Sequence, residues 1–195
     1  MSRDESPQSF RELLSKESSP YTGLSESVLE KLEAHYELLL KWNRRINLTR
    51  ITKLEDAVRF HYCESLFLAR WLPSGPLRIL DVGSGAGFPG VPIAAFRSDC
   101  SVDLAESDQR KAVFLGEATG GFLNTQVRAE RIETIHDAYD WVVSRAVAPA
   151  KVLKLKCASN FALLIGAEDV PGVEGKTVKL PWGSDRRLFH VERST

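Results

Sequence analysis

Cysteine is scarce in this chain, and the little there is forms no pattern. Cys63, Cys100 and Cys157 are odd in number and far apart, with no C-x-x-C pair. That argues against a disulfide framework and against a zinc site, and it suits a reducing cytosol. No apolar run approaches the ~20 residues of a membrane-spanning helix. The opening stretch, MSRDESPQSF, lacks the apolar core of a secretion signal. An excess of one charge is missing too: 26 Lys+Arg balance 26 Asp+Glu. A global basic field therefore does not announce nucleic acid, although a local basic face remains compatible with that total. No nucleophile–base pair stands out, because the four histidines (His35, His61, His136 and His190) are scattered. There is no internal repeat, low-complexity tract or metal-ligand spacing. These absences predict a cytoplasmic protein, a monomer, with no metal and no membrane.

What is present begins with helices. The chain is 195 residues long, with 43% apolar and 27% charged residues, enough for one ordinary domain with a sizeable core. Three S/T-x-x-E capping boxes (Ser9 with Glu12, Ser27 with Glu30, Thr52 with Glu55) predict helix starts in the first third. Val28, Leu32, Tyr36 and Leu39 share one helical face; Leu54, Val58, Tyr62, Ser65 and Ala69 share another. Leu72-Pro73-Ser74-Gly75-Pro76 then stops the helix. We expect a helical segment over 1–72 packed on a sheet domain over 73–195.

From residue 77 the rhythm becomes strand, loop, helix. Strands are expected at 77–82, 100–106, 124–130, 139–145 and 161–167, with helices notably at 108–119 and 149–158. Such alternation predicts an α/β fold with a parallel sheet covered on both faces. The tail differs: 177–182 and 187–192, joined around GSD, predict an antiparallel hairpin.

The stretch RILDVGSGAGFPG (78–90) carries the chemistry. Glycines between a strand and a helix let a ligand approach the backbone beside a helix N-terminus. Gly85-x-Gly87-x-x-Gly90 satisfies the dinucleotide fingerprint, so a nicotinamide-dependent oxidoreductase is one reading. Asp81 immediately before the loop, in D-x-G-x-G-x-G spacing, together with the terminal hairpin, favours S-adenosylmethionine and a class I methyltransferase. Glu106 ends the second strand, 21 positions after Gly85, where a carboxylate can accept both ribose hydroxyls of either ligand. Ala129-Glu130 ends the third strand, where an adenine edge would lie.

Lys41, Arg44, Arg45, Arg50, Lys53 and Arg59 stand against only Glu55 and Asp56, a locally basic stretch in a neutral chain. It reads as a phosphate-contacting surface or as a solvated helix face. Asn43 and Asn47 beside it serve either RNA contact or loop capping. His61 is expected in the core, paired with Glu64 one turn on. Trp42 and Trp71 are expected to anchor the helices to the sheet.

LLLKWNRRINLTRI (38–51), HYCESL (61–66), ILDVGSGAGFPGVPIA (79–94), ESDQRKAVFL (106–115), VRAERIE (127–133) and VVSRAVAP (142–149) run in this order over about residues 25 to 150. Together they resemble the bacterial small-subunit (16S) ribosomal RNA guanine-N7 methyltransferases, also called the glucose-inhibited division protein B family. W-N-x-x-x-N-L-T and the F-P-G extension of the glycine loop are the specific parts. The resemblance implies a class I (Rossmann-like) methyltransferase fold with a mostly parallel seven-stranded sheet. It also implies S-adenosylmethionine as methyl donor and 16S RNA, or the small ribosomal subunit, as partner. By matching position, Gly83 and Phe88 would line the cofactor pocket, with Asp81, Gly85 and Gly87 in the same loop. Glu106 would hold the ribose, Ala129 and Glu130 would meet the adenine, and Arg145 would sit over the methionine end and the target base. Arg145 is the expected catalytic residue, with a strand-end salt bridge as its plainer role. Lys41, Arg44, Arg45, Asn47 and Arg50 are the expected RNA contacts.

Two positions depart from the family pattern. His61-x-x-Glu64-Ser65 stands where the family has H-x-x-D-S, and LLIGAED ends the fifth strand where the family commonly has Lys-Gly. Acids in place of a cation motivate a further alternative, a non-catalytic RNA-binding or ribosome-assembly factor on the same fold.

Overall fold

The computed structural model describes residues 9–166 and 173–192. A seven-stranded sheet is ordered β3-β2-β1-β4-β5-β7-β6. Its strands are β1 Arg78–Val82, β2 Ser101–Ala105, β3 Thr125–Arg128, β4 Trp141–Arg145, β5 Asn160–Ile165, β6 Lys176–Lys179 and β7 Arg187–Glu192. β1 to β5 run parallel, and β7 lies antiparallel between β5 and β6. The order reverses between β1 and β4, so a crevice opens beyond their carboxyl ends.

Side chains of each strand alternate between two cores, as the period of two requires. Ile79, Trp141 and Val143 join the larger core, under the helices α1 Phe10–Ser18, α2 Glu26–Asn43, α3 Leu54–Ala57, α4 Glu64–Trp71, α5 Gly90–Phe96 and α6 Gln109–Ala118. Leu80, Val82, Val142 and Phe161 join the smaller core on the other face, with Ile135, Tyr139 and Leu153. Helices α1 to α4 thus share one continuous core with the sheet. Trp42 packs on Phe114 of α6, and Trp71 on Trp141 of β4, so both act as anchors.

Three local expectations need correction. The Ser9–Glu12 box forms with both hydrogen bonds, but Ser25 rather than Ser27 caps α2. No side chain caps α3, which starts after Lys53 rather than Thr52. The helix expected over 149–158 is only α7, Pro149–Val152. Beyond Val152 the pattern Leu153-Lys154-Leu155-Lys156-Cys157 alternates with period two, which suits extended chain better than a helix face. The Cys157 carbonyl then accepts from Tyr139 N at 2.8 Å. Gly166 is described; Ala167, Glu168 and Asp169, the acids expected at the end of the fifth strand among them, lie outside the described residues. Among the described residues no helix is long and apolar enough to cross a membrane.

Candidate active site

The glycine loop leaves β1 at the switch point and enters α5. Gly83 N and Ser84 N donate to the Ala105 carbonyl at 2.9 and 3.1 Å, tying the loop to the end of β2. Gly85 has φ +56°, and a Cβ there would meet nothing nearer than 3.7 Å, so this part of the loop is open to a ligand. Gly90 is needed for the opposite reason: a Cβ there would collide with Leu104 and lie 2.6 Å from Asp81 Oδ2. At Gly83 it would stand 2.5 Å from Val147 Cγ2, and at Gly87 2.6 Å from Val91 Cγ2.

Two carboxylates flank the loop. Asp81 is fully buried; its Oδ2 accepts from Gly90 N at 3.0 Å, while Oδ1 has no partner among the described residues. Burial pushes this carboxyl up to about 7. Glu106 Oε2 accepts from Gly85 N at 3.0 Å and Oε1 from Asp108 N at 2.8 Å. A carboxylate offers roughly four acceptor directions, so two amide bonds leave capacity for ribose hydroxyls.

Arg145 ends β4 on the other side of the switch point. Its guanidinium lies 4.8 Å from the centroid of Phe88, and Nη1 donates to the Phe60 carbonyl and to His61 Nδ1, both at 2.7 Å. Nε and Nη2 have no partner among the described residues. Burial lowers its pKa to about 10, which leaves it a cation at neutral pH. Among the described residues Arg145 forms no salt bridge, its plainer role: the partners of Nη1 are a carbonyl and an imidazole. Phe88 is itself buried, with His61 stacked on its ring at 4.5 Å. The ring lies against both Arg145 and His61.

His61 is a core histidine, as expected, but Glu64 is not its partner. Its second nitrogen, Nε2, lies 2.8 Å from Thr49 Oγ1. Burial, then the Arg145 charge, lowers its pKa to about 2. His61 occupies a π-helical stretch, Val58–Cys63, inserted between α3 and α4. Such insertions recur at functional sites. Glu64, fully buried, instead pairs with Arg186 from the loop before β7, with Arg186 Nη2 2.6 Å from Oε2. Burial raises the Glu64 carboxyl and the Arg186 bond offsets part of that. His61, Arg145, Arg186, Thr49, Arg50 and Val147 line one cavity of about 750 Å³.

The remaining expected residues fall around this centre. Ala129 follows β3, its carbonyl accepting from Gln109 Nε2 at 3.3 Å. The Glu130 carboxylate is engaged by Arg128 Nε and Thr134 Oγ1, both at 2.8 Å, which leaves its backbone for an adenine edge. Lys41, Arg44, Arg45, Asn47 and Arg50 are all exposed, and among the described residues none of these cations has an ion pair. Arg44, Arg45 and Asn47 share a cleft of about 240 Å³ with Arg110 and Lys111 of α6, against the single carboxylate of Asp108. Arg59 leaves the basic group, because Glu17 holds it at 2.7 Å. Asn43 caps its own loop: Oδ1 accepts from Leu48 N and Thr49 N at 2.9 Å, and Nδ2 donates to the Thr49 carbonyl at 3.0 Å.

Comparison with known proteins agrees with this geometry. The family profile described as "GidB: rRNA small subunit methyltransferase G" matches residues 28–165. The chain belongs to this family. A relative from Geobacter, named ribosomal RNA small subunit methyltransferase G, is 39% identical over 187 residues, 89% of this chain and 85% of its own. Relatives of the same name from Rhodospirillum rubrum and Halorhodospira halophila are both 41% identical. They cover 75% and 67% of this chain, and 73% and 63% of their own. The chain spans about three fifths of the length of several of the curated relatives it matches.

Among solved structures, an S-adenosylmethionine-dependent methyltransferase from Aquifex aeolicus superposes with a TM-score of 0.58 at 15% identity, over 75% of this chain and 98% of its own. Magnesium protoporphyrin IX methyltransferase from Synechocystis, solved with bound S-adenosylhomocysteine, gives 0.57 at 12%, over 87% and 100%. These likenesses establish the class I methyltransferase fold. The strand order agrees, because the antiparallel β7 separates this sheet from the 3-2-1-4-5-6 dinucleotide-binding sheet. That removes the nicotinamide reading.

The structure draws attention to residues that sequence reasoning passes over. Thr49 ends W-N-x-x-x-N-L-T, a signal that is visible in the sequence without a role. His35 is one of four scattered histidines, yet its Nε2 lies 3.0 Å from the Ala86 carbonyl inside the glycine loop. Arg186 carries no signal at all.

Proposed function

We propose that the chain transfers the methyl group of S-adenosylmethionine to N7 of a guanine in 16S ribosomal RNA, acting in the cytoplasm as a monomer. The observation that carries this reading is Arg145 at the switch point, over the Phe88 ring of the glycine loop, with Nε and Nη2 unpartnered among the described residues. Family membership and the names of the relatives agree with it.

The residues fit the methyl donor. The open face at Gly85 admits a nucleoside, the spare acceptor capacity of Glu106 suits a ribose, and the unpartnered Oδ1 of Asp81 suits a ligand N–H group. Gly83, Gly87, Phe88, Ala129 and Glu130 supply backbone around the same crevice. S-adenosylmethionine, when bound, supplies an electrophilic methyl group on a sulfonium sulfur.

What remains for the protein is to place the base. Guanine N7 carries an available lone pair, so no proton must leave before it reacts and no general base is required. The site matches that demand. His35 and His61 have both ring nitrogens engaged, and burial lowers their pKa values to about 4 and about 2. Neither is free to take a proton. Arg145 donates to O6 of the guanine or to a neighbouring phosphate, fixing the base for in-line attack. Positioning of this kind can supply ~7–11 kcal/mol of barrier reduction in favourable cases. Arg44, Arg45, Asn47, Arg110 and Lys111 form a phosphate-contacting cleft, Lys41 extends the same basic face, and Arg50 reaches the Arg145 cavity.

The test is labelled methyl transfer to deproteinised 16S RNA and to small subunits, both lacking N7 methylation. Incorporation into either supports the reading. A folded protein that binds S-adenosylhomocysteine and RNA but labels neither is the assembly factor instead.

A further inference from the structure

Resting on the methyl-transfer reading, we propose that Thr49 and His61 form the positioning device that aims Arg145, with the Thr49 hydroxyl receiving the ring proton of the one histidine tautomer that can accept from the arginine.

Donors and acceptors decide the tautomer. A guanidinium has only N–H donors, so His61 Nδ1, 2.7 Å from Arg145 Nη1, must accept. The ring proton therefore sits on Nε2 and is donated to Thr49 Oγ1 at 2.8 Å. With the proton on Nδ1 instead, two N–H groups would face each other across 2.7 Å. Arg145 would then lose the acceptor that orients it.

Each part of the device is held in place independently. Thr49 Oγ1 also accepts from Ile51 N at 3.0 Å, so both its lone pairs are used. Its backbone is clamped by Asn43 through two hydrogen bonds, and Leu48 N donates a third to the same side chain. The Phe88 ring stacks on His61 and lies under Arg145, fixing the plane of both. The Phe60 carbonyl in the π-helical turn takes the second N–H of Nη1 at 2.7 Å. With Nη1 spent on the protein, Nε and Nη2, which have no partner among the described residues, are the groups that would meet RNA. W-N-x-x-x-N-L-T thereby acquires a physical role, in which the asparagine sets the threonine and the threonine sets the histidine.

Two measurements test it. Nitrogen-15 NMR of the histidines in the whole chain should show His61 protonated on Nε2, and Thr49→Val, which leaves that N–H without its acceptor, should shift the Nε2 resonance. In methyl transfer, Thr49→Val should lower kcat by about 10²-fold, the order expected for misplacing a reacting group. Affinity for S-adenosylhomocysteine should be unchanged. Thr49→Ser should keep both the parental Nε2 resonance and kcat, and in an Arg145→Lys background Thr49→Val should add no further loss. A His61 proton on Nδ1 in the parent overturns the proposal, as does a Thr49→Val enzyme with parental kcat or a loss that adds to that of Arg145→Lys. If Thr49→Val does not fold, the parent tautomer and the Thr49→Ser result still decide. A parent chain that methylates no RNA defeats the methyl-transfer reading and leaves the tautomer result standing.

Discussion

His35 Nε2 lies 3.0 Å from the carbonyl oxygen of Ala86, joining α2 to the glycine loop across 51 positions of sequence. A carbonyl only accepts, so Nε2 carries the proton and Nδ1 accepts from the Tyr62 hydroxyl at 2.8 Å. His35→Phe keeps a ring and removes both bonds. It should destabilise the protein by about 1–3 kcal/mol for each polar group left buried without a partner. The substitution also removes a pH effect. The parent His35 is depressed from 6.5 to about 4, so its stabilisation is full above pH 6.5 and disappears as pH falls through 4. Stability from denaturant unfolding across that window should fall more steeply for the parent than for His35→Phe; parallel curves would contradict this.

Asp81 predicts the opposite slope. Its carboxyl is raised from 3.8 to about 7, so the neutral form is favoured in the fold. Its contribution is full below pH 3.8 and is lost as pH rises through 7. Asp81→Asn keeps an acceptor for Gly90 N and cannot ionise. Between those limits the stability of the variant relative to the parent should rise with pH. A constant difference would place the titration elsewhere.

Gly85 and Gly90 separate ligand binding from folding. Gly85→Val places its Cβ at ordinary contact distance, 3.7 Å from the Gly83 carbonyl oxygen, but forces a branched residue to φ +56°, in the path of a ligand. It should fold and lose affinity for S-adenosylhomocysteine. Gly90→Ala drives a methyl group into buried Leu104 and should cost about 1–3 kcal/mol of stability. Calorimetry and thermal melts read the two effects apart, and ligand affinity retained in Gly85→Val would remove the loop from the site.

The active-site backbone is legible in the sequence because strand, glycine loop and helix are contiguous. Asp81, Glu106 and Arg145 can all be placed at strand ends from apolar runs alone. The partners of Arg145 are not legible, since His61 lies 84 positions away and reaches it only through a π-helical turn. No periodicity announces such a turn. Glu64 looks like the partner of His61 because i,i+3 neighbours usually meet. A buried carboxylate needs a cation, however, and Arg186 comes from a loop 122 positions on. The short α7 is overextended in a sequence reading because helix propensity in Lys-Val-Leu-Lys outweighs the period-two alternation that follows it.

The cleft between the 43–47 loop and α6 predicts a salt effect. Arg44→Gln with Arg45→Gln should raise the RNA Michaelis constant. It should also flatten the dependence of log affinity on log salt by about 0.7 for each single-strand phosphate contact removed. S-adenosylhomocysteine affinity should not change. An unaltered salt slope would make the cluster a solvated face.

The proposed mechanism turns on guanine N7 as the attacking atom, placed by Arg145 without a base. The decisive comparison is methyl transfer to 16S RNA transcribed with guanosine and with 7-deazaguanosine, which carries a C–H in place of N7 and keeps O6. The first should be labelled at an N7-methylguanine and the second not at all, while both RNAs bind. Equal labelling of the two would contradict the mechanism, because the methyl group would then have gone to an atom other than N7.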